Sequence, residues 1–267
     1  MSSAPLITSP SHPLIKQARS LRQGKARASS GSFLVEGIHH VGEALESGWE
    51  VISILYAPDQ LVSAFGRELI AEAARQGLET RAASARALES AAGKDNPQGI
   101  LAILRQRHPK IGQITGLRVG VALVTPQDPG NIGAILRSLE AVGGDALFLL
   151  DGGADPFHPT CVRASMGALF WMPVVQTSFA EFAAWAARSR PAPPRLIGTS
   201  AQAETDYRAI EPDGPWILVL GSEQKGLAPD QLAACDVRVR LPMHGRSSSL
   251  NLAVAAGIFL YRFTEKK

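Results

Sequence analysis

Short apolar runs alternate with amphipathic stretches along most of this chain, a pattern typical of an α/β fold. In the first part, the apolar runs predict strands over residues 33–35, 51–56 and 99–104. Helical spacing predicts helices between them, over residues 38–47, 60–76 and 84–92. A polar stretch broken by Pro109 follows. We place a domain boundary there, so that residues 1–110 and 111–267 form two domains.

The second part begins again with apolar runs, which predict strands over residues 118–124, 146–150, 195–198, 216–220 and 237–241. These runs lack strict alternation, which favours a buried and mainly parallel sheet. Helices are predicted over residues 131–142 and 179–188, the second with Ser178 as its N-cap. The last helix, over residues 249–263, is apolar nearly all round. We therefore expect it to be buried on more than one side, within the core or between subunits.

Composition narrows the class of protein. The chain has 267 residues, of which 45% are apolar and 19% charged, as in ordinary globular proteins. Its two cysteines form no Cys-x-x-Cys or Cys/His cluster, which argues against structural zinc and disulfides and favours a reducing cytoplasm. The longest apolar run covers residues 252–261, and the N-terminus lacks a basic region followed by an apolar one. We expect neither membrane insertion nor secretion.

Basic residues are concentrated near the N-terminus, although the net charge is only +3. No acidic residue precedes Glu36. On a single helix the basic positions would form one stripe. The stripe has two interpretations, a solvated helix face or an arm that contacts nucleic-acid phosphates. Its members are Lys16, Arg19, Arg22, Lys25 and Arg27.

Polar segments follow three of the predicted strands. The first contains Asn131 and leads into a helix that carries Arg137. Its glycines allow close backbone approach, and a helix N-terminus offers N–H groups to an anion. The alternative is an ordinary β–α turn with Asn131 as N-cap.

The second polar segment, residues 221–227, holds Glu223 among glycines. Lys and Ser/Thr do not follow its Gly-x-x-x-x-Gly, so it is no Walker motif, and nucleotide hydrolysis is not expected. The absence of Gly-x-Gly-x-x-Gly counts against an ordinary dinucleotide site. The alternative for Glu223 is a solvated turn residue.

The third polar segment, residues 241–251, leads into the apolar last helix and contains Ser249 and Asn251. The alternative is that Ser249 is simply an N-cap, with Asn251 in the first turn. His244 is interpreted as a surface loop residue, since no nucleophile constellation recruits it.

Together these segments resemble the three ordered motifs of the SpoU (TrmH-type) RNA 2′-O-ribose methyltransferases of the SPOUT superfamily. The motifs read Asn131-Ile-Gly-Ala-Ile-Leu-Arg137, Leu218-Val-Leu-Gly221-Ser-Glu223-Gln-Lys-Gly226-Leu, and Leu241-Pro-Met243 followed by Ser249-Leu-Asn251. Arg163-Ala-Ser165-Met-Gly167 resembles the family's segment between motifs one and two. Phe33-Leu-Val-Glu36-Gly37 resembles the N-terminal substrate-binding domain of many members.

The resemblance implies an α/β catalytic domain with a C-terminal trefoil knot and a smaller N-terminal α/β domain. It implies that the knot holds S-adenosylmethionine and that the protein is a homodimer formed through its last helix. General rules of chain topology do not predict knots, which are very rare in proteins, so the expectation of a knot rests on the resemblance alone. The cofactor-binding residues implied are Thr199, Leu220, Gly221, Leu241, Met243 and Leu250.

The resemblance also implies roles in methyl transfer to a ribose hydroxyl, a reaction that demands no metal. Arg137 would lie at the acceptor ribose or its phosphate, Asn131 and Glu223 would shape the pocket, and Ser249 and Asn251 would complete it. The motif-one arginine is one candidate for the general base. A guanidinium stays protonated, however, so positioning is its easier physical role, and an adjacent phosphate is another route for the proton.

The expected substrate is structured RNA, with 23S ribosomal RNA favoured over tRNA and the basic N-terminal residues as contacts. Two alternatives stay open. One is methylation of a base, against which the pairing of Asn131 and Arg137 with Ser249 and Asn251 argues. The other is a non-catalytic RNA-binding or ribosome assembly factor.

Overall fold

The computed structural model describes residues 5–92 and 98–265. The chain divides into two compact units, residues 1–107 with 157–170, and residues 108–156 with 171–267. The segment 157–170 therefore packs with the first unit, although it follows the first motif of the second part in the sequence. Part of the N-terminal stretch on which the expectation about secretion rests, residues 1–4, lies outside the described residues. In the described part of the chain, every helix is too short or too polar to cross a membrane.

The elements follow the predicted α/β pattern, and each predicted strand forms within one residue of its expected ends. The helices are α1 (Pro13–Ser20), α2 (Gly24–Ser30), α3 (Ile38–Glu46), α4 (Ala64–Arg75), α5 (Ala85–Ala92), α6 (Pro129–Ala141), α7 (Pro159–Ala164), α8 (Ala168–Trp171), α9 (Phe179–Arg188), α10 (Pro229–Ala233) and α11 (Leu252–Thr264). The strands are β1 (Ser32–Glu36), β2 (Val51–Tyr56), β3 (Thr80–Ala82), β4 (Ile100–Arg105), β5 (Val119–Val124), β6 (Ala146–Leu150), β7 (Val174–Thr177), β8 (Arg195–Thr199), β9 (Thr205–Asp206), β10 (Trp216–Leu220) and β11 (Val237–Arg240).

The first unit is built on a sheet with the strand order β1-β4-β2-β3, in which β4 runs antiparallel to both neighbours. Helices α1 and α5 pack on each other, and Ile15 and Leu88 meet Leu101 from the sheet in one buried cluster. Segment 157–170 joins this unit through aromatic side chains. The Phe33 and Phe157 rings lie 4.9 Å apart, and the Trp49 indole N–H donates to the Phe170 carbonyl over 2.9 Å.

The predicted single basic stripe near the N-terminus is wrong. The chain breaks after α1 and restarts at α2, because Gln23 is in an extended conformation between them. Arg27 is only 2% exposed, and its guanidinium donates to the carbonyls of Leu21 and Arg22 over 2.9 and 3.0 Å. Arg27 thus holds the turn between the two helices from inside.

Arg19 also has a structural role. Its guanidinium donates to the backbone carbonyls of Pro10 and Ser90, both over 2.9 Å, and contacts the Ser90 hydroxyl. These bonds tie α1 to α5. The basic side chains of the predicted stripe that remain exposed are Lys16, Arg22 and Lys25.

The second unit contains a parallel sheet with the strand order β7-β6-β5-β10-β8-β11-β9. Its central strands β5, β6 and β10 are buried, as their continuous apolar runs predict. From β5 the chain proceeds outward through β6 and β7 to one edge of the sheet. Strand β10 lies on the other side of β5, followed by β8, β11 and β9 toward the opposite edge. The order therefore reverses between β5 and β10, and ligands of open parallel sheets bind at the carboxyl ends of strands at such a point.

Helix α11 has one buried face in the described chain. Its buried members are Leu252, Ala256, Phe259, Leu260 and Phe263. On the other side Val254 is 52% exposed and Tyr261 is 54% exposed. Burial of α11 on a second side, which the apolar pattern predicts, is thus not provided by this chain alone, and its burial between subunits stays a prediction.

Candidate active site

Two loops meet at the reversal point of the parallel sheet. Leu123 in β5 pairs with Leu220 in β10, so the residues that follow these strands leave the sheet side by side. The β10 loop is a tight turn, in which the Gly226 N–H donates to the Ser222 carbonyl over 2.9 Å. Gly221 is required there, because a Cβ at this position would lie 2.0 Å from the Gly226 carbonyl carbon. The turn aims Glu223 at the β5 loop.

The carboxylate of Glu223 joins the two loops. It accepts hydrogen bonds from the Asn131 amide over 3.0 Å and from the backbone N–H groups of Gln127 and Asp128 over 3.1 and 3.4 Å. Burial raises the pKa of Glu223, but these donors outweigh it and hold the pKa below its usual value. The N-terminal end of α6 therefore binds the protein's own ionised Glu223 carboxylate. Glu223 is an exposed turn residue, as the alternative expects, but its carboxylate is held by hydrogen bonds to the β5 loop and to Asn131.

Asn131 is 7% exposed and lies in the first turn of α6. It is not the N-cap, because Asp128 fills that position and accepts from the Gly130 N–H over 2.7 Å. The Asn131 side chain instead donates to Glu223, while its Oδ1 accepts from the Asn251 amide over 2.9 Å. Both ends of this buried amide are satisfied, which fixes its orientation.

Asn251 is the N-cap of α11. Its Oδ1 accepts from the backbone N–H groups of Ala253 and Val254 over 2.9 and 3.2 Å. The alternative with Ser249 as the cap is therefore wrong, since Ser249 lies in the loop two residues earlier. A directional chain results, in which the N-terminus of α11 donates to Asn251, Asn251 donates to Asn131, and Asn131 donates to Glu223.

A cavity of about 450 Å³ lies beside these hydrogen-bonded side chains. It is formed by the loops after β8, β10 and β11 over the first turns of α11. Among the residues proposed for the cofactor and the reaction, those that line the cavity are Thr199, Leu220, Gly221, Glu223, Leu241, Met243, Ser249 and Leu250. Asn131 and Asn251 do not line it. Asn131 contacts Glu223, and Asn251 contacts Asn131, so both act on the cavity through their neighbours.

Arg137 lies apart from this group. It is exposed on α6, and its side chain forms no hydrogen bond or ion pair with any residue that the structure describes. Arg137 lies six positions after Asn131 on α6, which places the two about 120° apart around the helix. A free guanidinium on the surface is available to a phosphate or ribose from outside this chain. His244 is likewise exposed.

Sequence reasoning missed several residues of the site. The N–H groups of Gln127 and Asp128 hold Glu223, and Lys225 and Arg240 are among the residues that line the cavity. These residues lie at or just after the carboxyl ends of strands in an open parallel sheet, and this position is a signal that could have identified them. Backbone donors, however, have no residue-type signature in a sequence.

Two family models match the chain. Residues 118–261, more than half of the chain, match the SpoU rRNA Methylase family, and residues 12–102 match the MRM3-like substrate binding domain. The chain belongs to the SpoU rRNA methylase family. The matched range, residues 118–261, contains all the segments of the site described above.

Relatives of this SpoU methylase support the assignment across nearly its whole length. It is 33% identical to the 23S rRNA (uridine(2479)-2′-O)-methyltransferase of Streptomyces viridochromogenes, covering 90% of this chain and 85% of that protein. It is 29% identical to the Bacillus subtilis 23S rRNA (guanosine(2553)-2′-O)-methyltransferase RlmP, covering 96% and 97%. The crystal structure of an AdoMet-bound rRNA methyltransferase from Sinorhizobium meliloti matches with a TM-score of 0.87 and 31% identity, covering 97% of this chain and 96% of that chain.

Proposed function

We propose that this SpoU methylase transfers a methyl group from S-adenosylmethionine to a ribose 2′-hydroxyl of 23S ribosomal RNA. The observation that carries the proposal is the cavity after β8, β10 and β11, bordered by the Glu223–Asn131–Asn251 chain. Two relatives that match along most of the chain are named as 23S rRNA 2′-O-methyltransferases. The same relatives support ribosomal RNA over tRNA as the substrate.

The residues of the cavity fit the cofactor. Its volume of about 450 Å³ lies within the usual range for small-molecule sites, about 300–1,000 Å³. The side chains of Leu220, Leu241, Met243 and Leu250 provide an apolar lining suited to an adenine ring. Polar groups from Thr199 and the 221–226 turn complete it. We assign the adenosine and methionine parts of the cofactor to this cavity.

The reaction requires alignment of the 2′-oxygen behind the methyl group and loss of the hydroxyl proton. Bound S-adenosylmethionine supplies a methyl group activated by a sulfonium, so the protein must chiefly orient the reactants. Glu223 holds the two loops in place and, because donors lower its pKa, is a poor proton acceptor at neutral pH. Arg137 positions the acceptor ribose or its phosphate, and Ser249 orients groups at the cavity mouth. The adjacent RNA phosphate is the route that we favour for the proton.

The two domains divide the work in this proposal. Residues 1–110 select the RNA, with Lys16, Arg22 and Lys25 as contacts that do not depend on base sequence. Residues 111–267 bind the cofactor and carry out the transfer. We further propose that the second domain contains the trefoil knot and dimerises through the exposed side of α11, and that the enzyme acts in the bacterial cytoplasm.

The test is transfer of radiolabelled methyl from S-adenosylmethionine to separately purified, unmodified 23S rRNA and tRNA, followed by nucleoside analysis. A 2′-O-methylnucleoside from 23S rRNA, lost in Arg137→Ala, is the expected result. Label in tRNA alone would replace the substrate assignment, and a methylated base would replace the reaction. Binding of S-adenosylmethionine without label in naked RNA or in ribosomal particles would favour the non-catalytic RNA-binding factor.

A further inference from the structure

Among the described residues, three charged residues line the cofactor cavity, Glu223, Lys225 and Arg240. The carboxylate of Glu223 is occupied by its three donors. The two cations have no role in the function proposed above. S-adenosylmethionine carries one anionic group, the carboxylate of its methionine half, and a buried or partly buried carboxylate needs a cationic or N–H partner.

Arg240 has an anionic neighbour of its own. It lies opposite Asp206 in the register between β11 and β9. Arg208 is the main partner of Asp206, with two hydrogen bonds of 2.9 and 2.6 Å, and lowers the pKa of Asp206 to about 2, while Arg240 adds a smaller electrostatic contribution. Arg240 therefore has an ionised carboxylate of this chain nearby, although the two side chains form no ion pair within the described residues.

Neither cation forms a side-chain hydrogen bond or ion pair with any residue that the structure describes. Lys225 lies in the turn after β10, outside the strand pairing that places Arg240 opposite Asp206. Its backbone is nevertheless fixed, because its N–H donates to the Ser222 hydroxyl over 3.3 Å inside the turn that the Gly226 N–H closes. The turn thus holds Lys225 in place at the edge of the cavity, with a side chain that has no partner among the described residues.

We propose that the Lys225 ammonium binds the carboxylate of the cofactor's methionine half. This inference rests on the proposed function, which places the cofactor in this cavity. An RNA phosphate is the other oxyanion that Lys225 could reach, since the side chain is exposed. The cofactor is favoured because Lys225 lines the same cavity as the six residues assigned to cofactor binding.

Calorimetric titration with two matched ligands tests this assignment. S-adenosylhomocysteine retains the carboxylate, whereas S-adenosyl-3-thiopropylamine differs from it only by lacking that group. For Lys225→Gln we expect about tenfold weaker binding of S-adenosylhomocysteine and unchanged binding of the amine. Lys225→Arg should restore most of the lost affinity. Arg188→Gln removes an exposed charge outside the cavity and should change neither affinity.

Several results would overturn the assignment of Lys225. An equal loss for both ligands would make Lys225 a structural residue, and a loss specific to the carboxylate in Arg240→Gln alone would transfer the role to Arg240. Unchanged cofactor affinity with weaker binding of a 23S rRNA fragment, measured without cofactor, would make phosphate the ligand. If the wild-type protein bound neither ligand, the proposed function itself would fail.

Discussion

The side-chain amide of Asn251 donates to the Asn131 Oδ1 over 2.9 Å and so joins residues that lie 120 positions apart. Asn251 uses its oxygen to cap α11 and its nitrogen to hold Asn131, which in turn holds Glu223. The side-chain amides of Asn251 and Asn131 each have one orientation, because each donates through its nitrogen and accepts through its oxygen. The N-terminus of α11 is thereby coupled to the turn that lines the cofactor cavity.

Asn251→Asp separates the two tasks of this residue. Aspartate caps helices as well as asparagine, but it has no N–H for Asn131 and brings a carboxylate against the Asn131 oxygen. For Asn251→Asp we expect methyl transfer to be about 10–100-fold slower or cofactor binding to be weaker by that factor. The free energy of unfolding should change less than in Asn251→Ala, because the alanine variant also loses the helix cap, which contributes about 1 kcal/mol. Full activity of Asn251→Asp would show that the amide chain is dispensable.

The carboxylate of Glu223 should make stability depend on pH. Because its folded pKa is lowered, ionised Glu223 stabilises the protein above the unfolded value of about 4.3, and this contribution is lost as the pH falls through the folded pKa. The Tm difference between wild type and Glu223→Gln should therefore be largest near neutral pH and shrink below about pH 4. A difference that is constant with pH would contradict this account.

Gly221→Ala should disrupt the turn that carries Glu223 and Lys225. The added Cβ would lie 2.0 and 2.2 Å from the carbonyl carbon and oxygen of Gly226, which are backbone atoms and cannot move aside cheaply. We expect about 1–3 kcal/mol of lost stability together with lost cofactor binding, measured by denaturant unfolding and calorimetry. Gly112→Ala is the matched control, since no atom lies within 4 Å of its added Cβ.

Arg137→Ala should abolish methyl transfer while preserving the fold. The side chain is exposed and makes no hydrogen bond or ion pair within the described residues, so the Tm should stay within the error of wild type. Cofactor affinity should also be retained, and Arg137→Lys should rescue activity poorly, because an ammonium lacks the bidentate fork. A large loss of cofactor affinity in Arg137→Ala would remove it from the acceptor side of the reaction.

The basic residues of the first unit should separate into two groups. Replacing Lys16, Arg22 and Lys25 together by glutamine should weaken RNA binding and reduce the salt dependence by about two to three counterions, without unfolding the protein. Arg27→Gln should instead destabilise the first unit by about 1–3 kcal/mol, because it leaves the Leu21 and Arg22 carbonyls without their buried donor. Filter binding at several salt concentrations, together with thermal unfolding, distinguishes the two groups.

The local pattern of apolar and polar residues was sufficient to predict most helices and strands of this protein. Burial along β5, β6 and β10 follows directly from continuous apolar runs, and Ser178 caps α9 as its position before the helix predicts. The short edge strand β7 was not predicted, because only two apolar residues, Val174 and Val175, mark it. Such short runs depend on pairing with a neighbouring strand, here β6, for their conformation.

The sequence by itself determined the α/β class, the order of the three polar segments and the residue types that the site contains, because periodicity and motif spacing are local properties of the chain. Only the tertiary structure decided which helix caps are filled by Asp128 and Asn251, and that Glu223 meets Asn131. It also showed that Arg27 is buried. These outcomes depend on contacts between side chains and on backbone donors, which no single segment specifies, and on parallel strand register, which brings distant loops together.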